Sequence, residues 1–390
     1  MRRAWVVLLA GCGFQSQALP MGQPDAAPPD AVVIVDTPDG ATCWRLDGAT
    51  IHVLACTTQT IANVEINGNV DIDTDTGAST PAGYGCAPLT DGSEPLCAIT
   101  GDKVTIASGR VVAHGSKPFA ILAHEIDLRG AIDVASHISG VRGAGAVSAQ
   151  CNVDSHGAIK SGGGAGGGFG SSGGKGGDEG SEPSSGALGG HTLGANFRGG
   201  CDGTGGGNGT ATGQPRGTGG AGGGVVWLAA DVRPFTIADT ALINASGAAG
   251  AGGAMPSYGG GGGGSGGLIV LQAPTITRGT AQIFANGGHG GGGAVSDDPG
   301  QDGGDPERPS SGGSDGHGGG HGAPSTHAGD GGSGVGGSGV TEAGTNNDGK
   351  PGGAPDAGGG GGGGGLGVIW VASLSSIGTS NVSPDPIAVP

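Results

Sequence analysis

A stretch in which one residue in three is glycine cannot build a core from side chains. That is the condition of residues 140–390, which hold 84 of the chain's 98 glycines. Glycine loses more conformational freedom on ordering than any other residue. Such a stretch therefore stays as long loops, or glycine itself is the packing element. The other 14 glycines lie in residues 1–139, which have room for an ordinary small fold. No Gly-X-Y period is present, which excludes a collagen helix. Hydrophobic residues are 34% of the 390 and aromatics number only 12. A conventional globular core draws on ~45–50%, so one large globular enzyme is excluded.

Between the glycine blocks lie short β-branched runs. Ile51-His52-Val53-Leu54, Val64-Glu65-Ile66, Val104-Thr105-Ile106 and Ile121-Leu122-Ala123 come first. Val225-Val226-Trp227-Leu228-Ala229, Leu268-Ile269-Val270-Leu271 and Val368-Ile369-Trp370-Val371 recur in the glycine-rich part. The early runs and their continuations alternate apolar and polar with period two, broken by Gly and Asn turns. No segment has a helical period. Runs this short do not make independent hairpins, but stacked as rungs they share one narrow core. The expected fold is all-β, a parallel β-helix or solenoid-like stack, with Val226, Ile269 and Ile369 in one core. Glycine-rich insertions fall at roughly 139–224, 247–267 and 287–365. They are either loops or packed polyglycine II, an extended threefold helix whose missing Cβ lets backbones approach. Leu122 to Val134 and Leu271 to Ile283 both span 12 residues around an Arg-Gly turn, which suggests an internal repeat.

The first residues read Met1-Arg2-Arg3-Ala4-Trp5-Val6-Val7-Leu8-Leu9-Ala10-Gly11-Cys12. A basic start followed by a short apolar run is a secretory signal. Leu9-Ala10-Gly11-Cys12 resembles the lipobox of bacterial lipoproteins. The resemblance implies that the Cys12 thiol receives diacylglycerol, that the chain is cut before it, and that the new amine is acylated. With Gly13 next, it also implies the outer membrane or cell surface. Residues 13–40, with Gln23-Pro24-Asp25-Ala26-Ala27-Pro28-Pro29-Asp30, cannot bury a core and read as a tether. The expected organisation is a signal peptide over 1–11, lipidated Cys12 and tether over 12–40, a disulfide-braced β-solenoid part over 41–138, and a glycine-rich region with interspersed strands over 139–390.

Six cysteines remain: Cys43, Cys56, Cys86, Cys97, Cys151 and Cys201. An exported chain with an even set fits three disulfides, for which 15 pairings exist. Proximity favours Cys43–Cys56, Cys86–Cys97 and Cys151–Cys201, with free buried thiols as the alternative. No C-x-x-C pair offers a metal site. The glycine-rich stretches resemble those of mycobacterial PE-PGRS proteins in composition. Lipobox, tether, strands and poly-Gly together resemble the glycine-rich surface lipoproteins of gliding and predatory bacteria, which implies a location more than a mechanism.

Chemistry is sparse. The formal charge of −17 argues against nucleic acid as partner. Gly263-Gly264-Ser265-Gly266-Gly267 matches a nucleophile-elbow pattern, but no helix follows to support it. Gly288-His289-Gly290 ahead of Asp297-Asp298 reverses the order of pectin-cleaving β-solenoids. Asp71, Asp73 and Asp75 lack the glycine and glutamate of an EF-type calcium loop. His289, His317, His321 and His327 cluster near aspartates and would suit Zn, Cu or Ni, although polar filler explains them as well. No cofactor is expected. The expectation is a non-catalytic, lipid-anchored surface protein, structural or adhesive, whose partners are the membrane and an extracellular polysaccharide or other surface proteins. The rival is a carbohydrate-active β-solenoid enzyme; a third reading is a metal- or ice-binding surface.

Overall fold

The computed structural model describes residues 41–47, 52–89, 95–138, 140–146, 151, 158–180, 186, 197–207, 216–306, 329, 348–353, 357–375 and 377–389. Cys12, His317, His321 and His327 lie outside them. Among the described residues the chain is all-β with no helix, and its main sheets are largely parallel.

A hairpin comes first: β1 (Thr42–Asp47) pairs antiparallel with β2 (His52–Thr57), and Cys43 is bonded to Cys56 across it. Then follow β3 (Val64–Ile66), β4 (Val70–Asp73), β5 (Ser79–Thr80), β6 (Ala87–Leu89), β7 (Leu96–Ile106), β8 (Arg110–His114), β9 (Phe119–Leu128) and β10 (Ala131–Asp133). The glycine-rich half adds β11 (Val225–Ala230), β12 (Phe235–Ile237) and β13 (Leu242–Asn244). A matching set follows: β14 (Leu268–Gln272), β15 (Ile276–Arg278) and β16 (Gln282–Phe284). The last strands are β17 (Val368–Ala372), β18 (Val382–Ser383) and β19 (Ile387–Ala388).

Successive sets lie on one another in register. Phe119, Val226, Ile269 and Ile369 form one line across β9, β11, β14 and β17. Val111, Ile132, Ile243, Ile283 and Val382 form another across β8, β10, β13, β16 and β18. Ile126, Phe235 and Ile276 form a third across β9, β12 and β15. All three lines are buried in one core. The equal spans seen in the sequence are not the repeat. Leu271 lines up through Leu228 with Ile121, not Leu122, and Ile283 lines up through Ile243 with Ile132, not Val134. Turns of unequal length separate the strands, so only register aligns the copies.

The sheet of β9, β11, β14 and β17 is buried on its second face too. There Leu122, Val225, Trp227, Leu268 and Val270 pack with Trp44, Leu46 and Val53 of the hairpin and with Phe169 and Phe197. A strand covered on both faces reads as an unbroken apolar run, which is the pattern of Val225–Ala229. Phe235-Thr236-Ile237, buried on one face, alternates.

The three glycine-rich insertions leave this stack after β10, β13 and β16. They return at β11, β14 and β17, whose first residues Val225, Leu268 and Val368 are in register. Their described parts are extended segments joined by backbone hydrogen bonds with a period of three. In segment 259–267, Gly260, Gly263 and Gly266 donate to Gly359, Gly362 and Gly365. Gly261, Gly264 and Gly267 donate to Ala251, Ala248 and Ala245, while Gly262 and Ser265 donate to Thr204 and Cys201. The same segment accepts bonds from Gly217, Gly220 and Gly223, from Gly164 and Gly167, and from Gly288 and Gly291. Neighbouring segments therefore surround it on all sides, and every amide from Gly259 to Gly267 is satisfied without water.

The glycines are required by approach, not by turning. A Cβ on Gly262, Gly263 or Gly264 would lie 1.9, 2.0 or 2.0 Å from the carbonyl oxygen of Ala165, Gly288 or Ala221, and none of the three has a positive φ. Elsewhere in the bundle, short polar side chains cap amides in place of another glycine strand. Asp202 accepts from Gly222 (2.9 Å), Asp302 from Gly252 (2.8 Å) and Asp348 from Lys175 (2.7 Å). Part of the acidic excess is spent in this way. Two further disulfides brace the chain: Cys86–Cys97 beside β7 and Cys151–Cys201 within the first insertion.

Candidate functional site

Parallel stacking gathers charged residues that are far apart in sequence. Asp102 and Lys103 on β7 lie beside His124 and Glu125 on β9, and the turn after β11 adds Asp231 and Arg233. Asp102 Oδ1 lies 3.0 Å from His124 Nδ1 and accepts from Arg233 Nη2 at 2.6 Å. Glu125 bridges Lys103 (2.6 Å) and Arg233 (3.3 Å). Hydrogen bonds from His124 and then Arg233 hold the Asp102 carboxyl below its ordinary value. Burial pushes Asp231 up, and both of its carboxylate oxygens are enclosed without a well-formed hydrogen bond. Two carboxyls whose environments drive their acidities apart are the raw material of acid–base chemistry.

A second group ties the insertions together. Asp305, in the third insertion, accepts from Ala249 of the second (2.7 Å) and from Ile138 at the start of the first (3.1 Å). His137 lies between Asp305 (3.3 Å) and the buried carboxylate of Asp133 (3.6 Å), which Arg110 also approaches at 3.3 Å. The neighbouring carboxylates, Asp133 first and Asp305 second, raise His137 to about 10. For Asp305, burial is the largest influence and works upward, but the bonds from His137, Ala249 and Ile138 outweigh it and the net shift is downward.

The sign of the linkage follows. A histidine raised in the fold contributes stability that is complete below its ordinary value of 6.5 and is lost as pH climbs towards about 10. The side chain is 40% exposed, so solvent screening holds the effect to about 1 kcal/mol or less. Melting temperature is expected to fall between pH 7 and pH 10 in the wild type, and His137→Gln is expected to flatten that slope. An unchanged slope in the variant would remove His137 from the account.

A third place is an open cleft of about 660 Å³ where β8 turns into β9, lined by Asp75, His114, Ser116, Val141 and Arg142 among others. Its charges are matched in pairs. Arg142 holds Asp202 at 3.0 and 2.5 Å, His114 meets Asp71 at 3.1 Å, and Asp75 accepts from both the amide and the hydroxyl of Ser116.

The residues singled out in the sequence are placed as follows. His289 is fully buried inside the glycine bundle. Among the described residues no three His, Cys, Asp or Glu side chains are grouped to hold a metal ion. Asp71, Asp73 and Asp75 go separate ways: Asp73 caps its own turn through the Asp75 amide (2.9 Å) and the Thr76 hydroxyl (2.9 Å), while the other two face His114 and Ser116. Ser265 is fully buried, and its hydroxyl accepts from the Cys201 amide at 2.8 Å. Sequence reasoning missed Asp102, His124, Asp231 and Arg233, and the His137 group. Nothing local marks them, because only the stacking of strands, turns and insertions brings them together.

No family model, curated protein or solved structure matches this chain.

Proposed function

We propose that this chain is a non-catalytic, lipid-anchored surface protein with a structural or adhesive role. In this reading the stacked strands are rungs of a β-solenoid, and the insertions are polyglycine II helices packed beside it. Cys12 carries the lipid at the outer membrane or cell surface, and residues 13–40 are the tether. The observation that carries the reading is the bundle around segment 259–267. A body whose backbone amides are bonded to one another with period three has little to digest and little to deform. That suits permanent display, with an extracellular polysaccharide or another surface protein as the contact. The acidic balance disfavours nucleic acid.

The test is anchorage. Cells expressing the wild type and fed labelled palmitate are expected to yield a labelled band that Cys12→Ala abolishes. Labelling that persists in the variant would end the lipobox reading. A second reading, a carbohydrate-active enzyme, draws on one observation: the opposed acidities of Asp102 and Asp231 beside His124. Release of reducing ends from pectin-like polymers by residues 41–390, lost in Asp102→Asn, would replace the first reading with the second.

A further inference from the structure

Arg198 is 8% exposed and lies against a disulfide, not against an acid. Its Nη1 is 3.1 Å from Cys151 Sγ and 3.3 Å from Cys201 Sγ, and it reaches the Gly199 carbonyl at 3.4 Å. Nε and Nη2 are buried without a hydrogen-bond partner. The guanidinium carbon stands 5.2 Å from the centre of the Phe169 ring. No carboxylate forms an ion pair with it among the described residues, and burial alone holds the group below its ordinary value. Removing a charge from water without a counter-charge is costly. A disulfide sulfur is only a weak acceptor. The counter-charge that would satisfy this cation is a thiolate.

We propose that Cys151–Cys201 is a thiol-exchange site, with small thiols as its reactants and Arg198 as the group that stabilises the departing sulfur. Cys201 is 2% exposed and Cys151 is half-buried, so the attack falls on Cys151. A thiolate RS⁻ bonds to Cys151 Sγ while the Cys151–Cys201 bond breaks. The electron pair leaves on Cys201 Sγ as a thiolate beside Arg198. The products are a mixed disulfide at Cys151 and one protein thiolate, with no other oxidant or reductant consumed. A neighbouring guanidinium lowers the pKa of a thiol, and the more acidic thiol departs faster. Among the described residues the other two disulfides have no Arg or Lys nitrogen bonded to their sulfurs. Exchange opens a link across a sequence separation of 50 residues. The glycine bundle keeps hold of Cys201 through its amide and carbonyl bonds to Ser265.

The experiment treats the intact protein with glutathione, quenches with acid, and maps the adducts by mass spectrometry. Cys151 is expected to gain glutathione roughly tenfold faster than any cysteine of the other two pairs reacts. Arg198→Met is expected to remove that advantage and Arg198→Lys to keep most of it. Should the methionine variant fail to fold, the wild type still decides the matter. After exchange, alkylation of Cys201 as a function of pH is expected to titrate below the ordinary thiol value. Equal rates at all three disulfides, an undiminished rate in a folded Arg198→Met protein, or ordinary titration of Cys201 would each overturn the proposal.

Discussion

Gly264→Ala is expected to remove roughly 3 kcal/mol or more of stability, at the upper end of what overpacking costs. The added methyl would stand 2.0 Å from the carbonyl oxygen of Ala221 and 2.4 Å from its carbon. Both are backbone atoms, so no rotamer change relieves the clash. Moving segment 259–267 breaks the Gly264 amide bond to Ala248 and, through the period of three, the bonds on its other sides. Gly262 and Gly263 meet Ala165 and Gly288 in the same way, so all three phases are closed at these positions. Ser265 alone in the segment carries a side chain, and its hydroxyl takes the Cys201 amide. Collagen glycines answer to the same demand. Gly205→Ala is the control. There the nearest atoms are Arg216 Nε and the Gly217 carbonyl oxygen, both at 3.3 Å, and the change should stay within about 0.5 kcal/mol. Urea unfolding of the two variants reads the difference. Amide exchange over 259–267 in the wild type reads the premise, since random-coil rates there would mean that no bundle exists in solution. If the two alanines cost the same, close approach is not what the glycines serve.

The sequence and the structure diverge where register matters. Val226, Ile269 and Ile369 could be placed in one core from their runs alone, because an apolar strand between two glycine blocks has nowhere else to pack. The Cys43–Cys56 and Cys86–Cys97 links are local, and nearness along the chain was a sufficient guide. The insertions were undecidable from composition. Order in segment 259–267 depends on segments from residues 162 to 365 meeting around it, and a glycine run carries no pattern that names its neighbours. The charged group fails for a related reason. Asp102 and His124 lie on two different strands and Arg233 in the turn after a third, and each alone is an ordinary solvated polar residue. Even the apparent 12-residue repeat misled by one or two positions, since unequal turns hide the true pairing of Ile121 with Leu271 through Leu228. His289 reversed its meaning altogether: in a glycine-rich sequence a histidine reads as exposed filler, and it is fully buried.

Trp227→Ala is expected to cost about 3–5 kcal/mol, and its effect should spread unevenly. Trp227 is fully buried on the outer face of its sheet. It meets the Phe197 ring edge-on, with centroids 6.0 Å apart. Its Nε1 donates to Gln272 Oε1 at 3.0 Å, and Gln272 Nε2 donates onward to the Arg45 carbonyl at 2.8 Å. One side chain thus touches the first insertion and, through one amide, holds the hairpin of β1 and β2. Truncation leaves a cavity between these parts and strips Gln272 of its donor. Trp227→Phe separates the two effects. It restores most of the packing but leaves Gln272 Oε1 buried and unpaired, a loss of about 1–3 kcal/mol. In hydrogen exchange, Trp227→Ala should release amides of 42–57 and 197–204 while β12 and β13, on the far side of the core, keep their protection. A phenylalanine variant as stable as the wild type would show that the link to Arg45 carries no load. Uniform loss of protection in the alanine variant would show that hairpin, sheet and bundle unfold as one unit. In that case the hairpin is not a separable cover but part of the same cooperative core as the glycine segments.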